Sequence, residues 1–449
     1  MTGGAGPDPP APGLLRAAIV LPIAGPPIRD GAVGIRDGRL AAVGAWPEVR
    51  DAWPAGPVLD LGPAALLPGL VNAHTHLELS GLGPPAGIPK DFAGWIVDLI
   101  RRRRAADPGA LAAAARQAAQ VMVRSGTTAI GDISATGLAI GPLCEAGLRG
   151  VVFHEVLGFD PARAEALLAE AERGLLALAE ALRGSRLLPG LTPHTLYTSS
   201  EALIRGCLAA ARARGLRACL HVAEDPAEVE FTRAGGGRLR ELLHAFVGWA
   251  DLTPPARGQR PLEFLDTLSG LADDVLLVHA VQATAPEIGR MAAAGAPVAH
   301  CPRSNALLGV GVAPVPALLG RGVTVGLGTD SLASNWSLNL WDEIRFAHRL
   351  HAGRVPPGQW LALATRGGAR ALGLDREVGT LEVGKAADVT AVALPSEAMA
   401  EPVAWLAGGD GAVEVLLTMV AGQVLFAHPA LGLPEARERV VGLRRVERA

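Results

Sequence analysis

Two histidines in the first fifth of the chain are spaced so that both can bind one metal ion. Residues 68–78 read Pro-Gly-Leu-Val-Asn-Ala-His-Thr-His-Leu-Glu, so His74 and His76 stand two residues apart. In a β-strand, residues with this spacing point to the same face. The pair alone is a weak signal, because most such histidines are ordinary surface or core residues. The pair indicates a metal site only if further ligands occur elsewhere in the chain.

Partners with suitable chemistry follow three other apolar runs. His221 and Glu224 stand in His-Val-Ala-Glu, His279 ends Leu-Leu-Val-His, and Asp330 stands in Gly-Thr-Asp-Ser. Barrel enzymes carry their catalytic groups at the C-terminal ends of the strands, so we expect these side chains to meet the histidine pair. Imidazoles combined with a carboxylate are best suited to zinc, with iron and manganese as alternatives.

Eight apolar runs predict the strands that would position these groups. The runs are continuous rather than alternating, which is typical of parallel strands buried on both faces. Helical stretches are predicted between them at 108–124, 161–182, 199–213 and 341–351. Eight strand–helix units over about 300 residues predict a (β/α)8 TIM barrel, an α/β fold. The predicted strands are 65–71, 127–133, 150–156, 187–192, 217–222, 275–281, 297–301 and 324–328.

The two flanks of this region are rich in short apolar pieces separated by turns. Residues 14–64 include Asp37-Gly38, a strong hairpin signal, and residues 379–427 contain the turn Ala421-Gly422. We therefore expect the two chain ends to meet in one small β-sandwich. The predicted domains are residues 1–64 with 371–449 for the sandwich and 65–370 for the barrel.

The composition excludes several classes of protein. With 49% hydrophobic residues, 19% charged residues and a net charge of -3 among 449 residues, the chain is not intrinsically disordered. It has no excess of positive charge for binding nucleic acid. Apolar runs are interrupted well before 18 residues, so no membrane span is predicted. Four cysteines without a CxxC pair, and no convincing signal peptide, predict a reduced, cytoplasmic protein.

Taken together, these motifs resemble the amidohydrolase superfamily, in particular its branch of cytosine and adenosine deaminases and triazine chlorohydrolases. The resemblance covers the two-histidine strand, the His-Val-Ala-Glu strand, the lone histidine, the terminal aspartate and residues 379–388. Barrels of this type often form homodimers. The resemblance implies that the metal ligands are His74, His76, His221 and Asp330. It also implies that Glu224, His279 and Asp330 act on water and substrate.

The resemblance also bears on the number of metal ions. Two-metal members carry a carboxylated lysine at the end of the fourth strand. Here that region, residues 187–195, has no lysine, and the two lysines of the chain, Lys90 and Lys385, fall elsewhere. One divalent metal is therefore expected, with zinc preferred over iron and manganese. Zinc lowers the pKa of a bound water toward about 7, which makes a hydroxide nucleophile available at neutral pH.

Five residues are predicted to contact the substrate. His194 matches a substrate-contacting motif of related nucleoside deaminases, and Trp95 is placed to form an aromatic lid. Glu78 either recognises a substrate amine or hydroxyl, or caps the next loop. Arg303 lies in residues 300–305 and Ser331 in residues 329–334, two segments shared with the branch. The polar groups of residues 300–305 either brace Asp330 or face the substrate.

Within the branch, these segments look most like aminodeoxyfutalosine deaminases of menaquinone biosynthesis, which remove the 6-amino group from an adenine nucleoside with a carboxylated aryl tail. The predicted enzyme is a hydrolase of C–N bonds other than peptide bonds, acting on a small aminated heterocycle or nucleoside. Deamination of adenosine or S-adenosylhomocysteine, guanine or pterin, and triazine dechlorination are alternatives. A non-catalytic ligand-binding barrel is the alternative of a different class. Cations that could meet a carboxylated tail are Arg233, Arg238, Arg240 and Arg260.

Overall fold

The fold was obtained as a computed structural model, which describes residues 13–53 and 56–433. Sixteen strands occur in this part of the chain. The outer ends of the predicted sandwich, residues 1–12 and 434–449, lie outside the described residues. The strands are β1 (Leu14–Val20), β2 (Ile28–Arg36), β3 (Arg39–Ala45), β4 (Val58–Asp60), β5 (Ala64–Pro68), β6 (Leu70–Thr75), β7 (Thr127–Ser134), β8 (Arg149–Glu155), β9 (Arg186–Thr192), β10 (Ala218–Val222), β11 (Val275–His279), β12 (Val298–His300), β13 (Val325–Leu327), β14 (Val389–Ala393), β15 (Val415–Val420) and β16 (Gln423–Ala427).

The helices mostly connect consecutive strands of the central region. Those predicted from sequence are confirmed to within three residues at each end. Within the described ranges, none of the helices is both long and apolar enough to cross a bilayer. The α-helices are α1 (Trp46–Ala52), α2 (Phe92–Ala105), α3 (Pro108–Arg124), α4 (Ile140–Ala146), α5 (Ala164–Ala181), α6 (Glu201–Ala213), α7 (Pro226–Ala234), α8 (Ala245–Val247), α9 (Pro261–Thr267), α10 (Ala285–Ala294), α11 (Pro302–Leu308), α12 (Val315–Gly320), α13 (Leu340–Leu350), α14 (Pro357–Ala362), α15 (Gly368–Ala371) and α16 (Pro402–Gly408), with π-helical turns at Leu239–His244 and Leu363–Gly367.

The predicted barrel is confirmed. Strands β6 to β13 form one eight-stranded sheet in sequence order, and the pairs within it are parallel. A parallel bridge between Thr75 and Asp330 brings the first strand beside the end of the last. Every residue of β6, β7, β10 and β11 is buried, which explains why these strands read as continuous apolar runs. The C-terminal ends of the eight strands therefore surround one open end of the barrel, its mouth.

The first predicted strand, residues 65–71, is wrong as a single element, because its residues are divided between two sheets. β5 pairs with β14 and with β1, whereas β6 pairs with β7 in the barrel. Gly69 joins them, and a side chain there would overlap Thr128, with a Cβ 2.1 Å from Thr128 Oγ1. Residues 65–68 and 70–71 are all buried and apolar, so composition carries no sign of the break. The division into domains stays a prediction, but Ala64–Pro68 pairs with the strands of the chain ends.

The two chain ends meet in one mixed sheet, as expected. Its order is β16-β15-β14-β5-β1-β2-β3, with β4 also on β1. The predicted hairpin turn joins β2 to β3, where Asp37 and Gly38 both have positive φ, 51° and 73°. This backbone matches the strand twist of a tight hairpin and favours glycine and aspartate.

A buried ion pair fastens this sheet to the barrel. Arg149, at the start of β8, donates to both carboxylate oxygens of Asp388, over 2.9 and 3.2 Å. The Asp388 side chain is 1% exposed, and its Oδ1 also accepts from the amide of Ala421. The pair therefore connects residues 379–388, a segment that carries part of the sequence resemblance, to the wall of the barrel.

An Asp388→Ala substitution is expected to destabilise the fold by about 3 kcal/mol, because it leaves the Arg149 guanidinium buried without its partner. Urea unfolding followed by circular dichroism measures this change. Glu377→Ala is the matched control, since Glu377 pairs with Arg39 at the surface, where the side chains are 44% and 52% exposed, and should cost less than about 1 kcal/mol. Equal losses in the two variants would contradict a structural role for the buried pair.

Candidate active site

The groups predicted at four strand ends converge in the mouth of the barrel. His76 Nε2 lies 3.1 Å from His221 Nε2, and Asp330 Oδ1 lies 3.5 Å from His74 Nε2 and 3.7 Å from His76 Nε2. Ligand atoms of His74, His221 and His279 lie within 4.8 Å of one another, as do those of His74, His76 and Asp330. The four predicted ligands thus fall in two overlapping groups that share His74, and the contact between His76 and His221 links the two groups.

Unusual backbone geometry aims three of these groups into the mouth. Ala223, His279 and Asp330 adopt left-handed conformations, with φ of 53°, 73° and 57°. This region is sparsely populated for residues other than glycine, and such strain is concentrated at functional sites. Here it turns the chain sharply at the ends of β10, β11 and β13, directly at Glu224, His279 and Asp330.

The donor set fits a divalent cation. His74 is buried, and neither of its ring nitrogens has a hydrogen-bond partner in the described part of the chain. Burial, with help from neighbouring histidines, holds the pKa of His76 and His221 well below the usual range, so their rings are neutral and keep a lone pair. The 3.1 Å between the Nε2 atoms of His76 and His221 is close to the separation of about 3.3 Å expected for two nitrogens bound tetrahedrally to one zinc.

The carboxylate of Asp330 supplies the negative charge that such a cation needs. Burial opposes its ionisation, but the close approach of His74 and the charge interactions with His74, His76 and His279 keep the pKa of Asp330 well below its usual range. Its Oδ2 accepts hydrogen bonds from Ser304 Oγ at 2.6 Å and Ser334 Oγ at 2.8 Å. These two serines leave Oδ1 to face the histidines. Ser304 thus braces Asp330, which is one of the two alternatives given for residues 300–305.

Hydrogen bonds behind the rings fix which nitrogen faces the mouth. Because a carbonyl oxygen only accepts, the contact of His221 Nδ1 with the carbonyl of His194, at 3.2 Å, places the proton on Nδ1 and the lone pair on Nε2. The 3.0 Å contact of His279 Nδ1 with Asn305 Oδ1 does the same for His279. Such outer partners orient metal ligands and tune their basicity.

Glu224 lies beside His279, with Oε1 3.5 Å from His279 Nε2. Burial raises the pKa of Glu224 well above its usual range, and the nearby charge of Asp330 adds to the effect. Its amide donates to Glu228 Oε2 at 2.9 Å, which secures the turn at Ala223. Glu228 was missed by sequence reasoning, although it lies one helical turn beyond Glu224. The carboxyl of Glu224 is thus poised to exchange a proton.

The structure places Glu78 in the loop-capping role. Its two oxygens accept hydrogen bonds from Ser134 Oγ, from the amides of Ala135, Thr136 and Leu138, and from the Thr136 hydroxyl. These donors belong to the last residue of β7 and to the loop that follows it. Glu78 lies in the turn that follows His76, so it couples this loop to the metal-ligand strand.

His194 and Trp95 occupy different positions at the mouth. The ring of His194 lies 5.1 Å from that of His221, and its Nδ1 contacts Thr198 Oγ1 at 2.9 Å. Trp95 stacks on Phe92 in α2, with ring centroids 5.8 Å apart, and its buried indole N–H has no hydrogen-bond partner among the residues that the structure describes. His194 Nε2 lies 3.8 Å from Glu155 Oε1, so it faces a carboxylate of the protein. The substrate contacts of His194 and Trp95 stay predictions.

Ser331 and Arg303 are engaged with the protein. Ser331 Oγ lies 3.2 Å from the Ser334 hydroxyl, and Arg303 pairs with Asp342 at 3.3 Å while its guanidinium lies over Trp336. Of the four arginines proposed to meet an acidic tail, Arg238 and Arg260 are also paired, with Asp91 and Glu287 respectively. Their contacts favour structural roles.

A further buried carboxyl, Asp132, was not predicted from the sequence. It accepts hydrogen bonds from the two residues that flank His76. Asp132 Oδ1 in β7 accepts from Thr75 Oγ1 at 2.8 Å and from the amide of Leu77 at 2.9 Å, on either side of His76. Burial raises the pKa of Asp132 to about 8, and its Oδ2 has no hydrogen-bond partner among residues 13–53 and 56–433. The folded protein therefore favours the protonated acid.

This pKa predicts a pH-dependent contribution to stability. Because the folded pKa lies above the unfolded value of about 3.9, the contribution is complete below the unfolded pKa and is lost as the pH rises through about 8. We expect Asp132→Asn, which keeps the Oδ1 acceptor and stays neutral, to lose less thermal stability than the wild type between about pH 6 and about pH 9. Calorimetry at several pH values tests this, and parallel curves for the two proteins would contradict it.

Membership of a protein family places this site in context. Residues 65–425 match the amidohydrolase family, and the chain belongs to that family. A 5-methylthioadenosine/S-adenosylhomocysteine deaminase from Nitratidesulfovibrio vulgaris is 33% identical over 433 residues, covering 89% of this chain and 88% of the relative. An aminodeoxyfutalosine deaminase from Deinococcus radiodurans is 36% identical over 341 residues, covering 74% and 79%.

Solved structures agree with this placement. An adenosine deaminase from Xanthomonas campestris with bound zinc has a TM-score of 0.78 and 27% identity, covering 94% of each chain. The resemblance seen in the sequence is confirmed, and so is the enzyme class, a hydrolase of C–N bonds other than peptide bonds. That structural neighbour contains a divalent metal, and the present chain has a histidine-rich site suited to one.

Proposed function

We propose that this protein is a metal-dependent hydrolytic deaminase of the adenine ring in a nucleoside, with 6-amino-6-deoxyfutalosine as its first candidate substrate. One observation carries the reaction type: a buried carboxyl of raised pKa, Glu224, stands 3.5 Å from His279, next to the four predicted ligands. A ring C–NH2 carbon can lose its amine only if water attacks it and protons move to nitrogen, and these groups suit both tasks.

His74, His76, His221 and Asp330 would hold one divalent cation, zinc by preference. When bound, such a cation makes a water molecule acidic enough to attack at neutral pH. His279 Nε2, which presents its lone pair, accepts a hydrogen bond from the attacking water. Asp330 orients the same water through Oδ1.

Glu224 moves the protons. It takes one proton from the attacking water and delivers it to the adjacent ring nitrogen as the C–O bond forms. It then takes the remaining hydroxyl proton and delivers it to the amine, so the C–N bond breaks and ammonia leaves. The ring keeps the oxygen as a carbonyl. Removal of both water protons by one carboxyl balances the reaction without a further acid.

The two relatives define two candidate substrates. The identity of 36% to an aminodeoxyfutalosine deaminase, and the segments described in the sequence, favour aminodeoxyfutalosine and hence a step in menaquinone biosynthesis. The alignment over 89% of the chain with a methylthioadenosine and S-adenosylhomocysteine deaminase favours those nucleosides as the second candidate.

A substrate panel tests the proposal. Purified protein, loaded with zinc, is incubated with aminodeoxyfutalosine, 5-methylthioadenosine, S-adenosylhomocysteine, adenosine, guanine and a chlorinated triazine, and ammonia or chloride release is measured. We expect ammonia from adenine nucleosides, with the highest kcat/KM for aminodeoxyfutalosine. Turnover of guanine or triazine alone would overturn the proposal, and zinc binding without any turnover would favour a ligand-binding barrel.

A further inference from the structure

Four consecutive arginines in α2 differ sharply in what they contact. The guanidinium groups of Arg101 and Arg104 lie over the Phe246 ring, at 4.9 and 5.3 Å. Arg102 donates to the carbonyls of residues 82 and 83 and pairs with Asp98. Arg103 makes one charged contact, a 3.5 Å approach to Glu78, and forms no other hydrogen bond with a described residue. The four side chains therefore occupy different environments.

Arg103 stands at the edge of the active-site mouth. Its neighbour Glu78 follows the ligand His76 by two residues and is 3% exposed. Its positive charge also contributes to lowering the pKa of His194, after the larger effect of burial, so it acts on the side of the mouth where β9 ends. The Arg103 side chain is 31% exposed, which leaves it reachable by a ligand.

The donors of Arg103 are not consumed by Glu78. The two oxygens of Glu78 already accept hydrogen bonds from the loop after β7, and 3.5 Å is longer than a charge-assisted bond of about 2.8 Å. A guanidinium carries five N–H donors in a planar fork that matches a carboxylate. A half-buried arginine with unused donors beside a catalytic mouth is suited to bind an anion.

We propose that Arg103 binds a carboxylate on the tail of the nucleoside substrate and thereby selects acidic nucleosides over neutral ones. This inference rests on the proposed function, since it requires an adenine ring at Glu224. The reacting ring lies at the metal ligands, and the rest of the nucleoside extends toward the rim. An acidic group on that tail meets Arg103, whereas a neutral tail leaves the guanidinium to water.

The test compares aminodeoxyfutalosine with its methyl ester, which differs only by the negative charge. In the wild type, kcat/KM should be higher for the acid. Arg103→Gln should lower kcat/KM for the acid by about 10- to 100-fold, mainly through KM, since a hydrogen bond to a charged group is lost. The loss for the ester should be much smaller. Arg103→Lys should recover part of the loss, because it keeps the charge without the fork.

Arg101→Gln is the matched control, since it removes an equal charge from the same helix without touching Glu78, and thermal unfolding of each variant monitors folding. Equal losses for acid and ester in Arg103→Gln would overturn the inference and assign Arg103 a structural role. Equal kcat/KM for the two nucleosides in the wild type would overturn it while deamination stands. If neither nucleoside nor any other adenine compound releases ammonia, the proposed function itself fails.

Discussion

Replacement of Glu224 by glutamine is expected to lower kcat for deamination by about 10²- to 10⁴-fold, the range typical of a general acid–base group. The amide has nearly the same shape, but it cannot take a proton from water or give one to the ring nitrogen. KM should change much less, because the side chain serves the proton transfers rather than substrate affinity. Stopped assays of ammonia release under substrate saturation measure the effect.

Two checks separate this loss from damage to the site. The zinc content of Glu224→Gln, measured by mass spectrometry, should match the wild type, since the predicted ligands are other residues. Glu241→Gln, at an exposed carboxyl that pairs with Arg238, should keep wild-type kcat. A variant Glu224→Gln with more than about a tenth of wild-type kcat would exclude Glu224 as the proton carrier.

Removal of the metal should have the second large effect, on activity and on stability together. Treatment with a strong chelator is expected to abolish deamination, because the four donors without a cation cannot activate water. It should also lower the melting temperature, since a ligand present at about 100 times its Kd stabilises the fold by about 2.7 kcal/mol. Addition of zinc, iron(II) or manganese, one at a time, should restore both properties and identify the preferred metal.

Substitution of a single ligand gives an independent test. His74→Ala removes a buried imidazole whose nitrogens have no hydrogen-bond partner among the described residues, so it should reduce zinc content and remove the chelator-sensitive part of the melting temperature. His428→Ala, at a histidine that pairs with Glu414 away from the barrel mouth, should retain both. Full zinc occupancy in His74→Ala would contradict the proposed ligand set.

The convergence of the site was predictable because it depends on local patterns. A histidine pair of strand spacing, and acidic or imidazole groups at the ends of other apolar runs, need only a parallel barrel to bring them together. Parallel strands place all their C-terminal ends at one edge, so strand order in the sequence was enough to predict that His74, His221, His279 and Asp330 meet.

Other features depended on partners that are far away in the sequence. Residues 65–71 form two strands because β5 pairs with β14 and β1, and a fully buried apolar run gives no sign of which sheet it joins. Glu78 accepts hydrogen bonds from a loop that lies more than 50 residues later in the chain. Asp388 pairs with Arg149, and the two residues are 239 positions apart in the sequence. These contacts are set by hydrogen bonds between distant segments.

Residue type and periodicity are properties of short segments, so they were enough to predict the barrel, the meeting of the two chain ends and the side chains that gather at the strand ends. The partner of each polar group became known from the folded arrangement. In the structure, Glu78 binds a loop, and Ser304 and Ser334 donate hydrogen bonds to Asp330. Among four adjacent arginines, Arg103 has unused donors. The role of a charged side chain depends on the donors and acceptors that pack against it. These groups come from distant segments, and the spacing of residues in the sequence does not predict which segments meet.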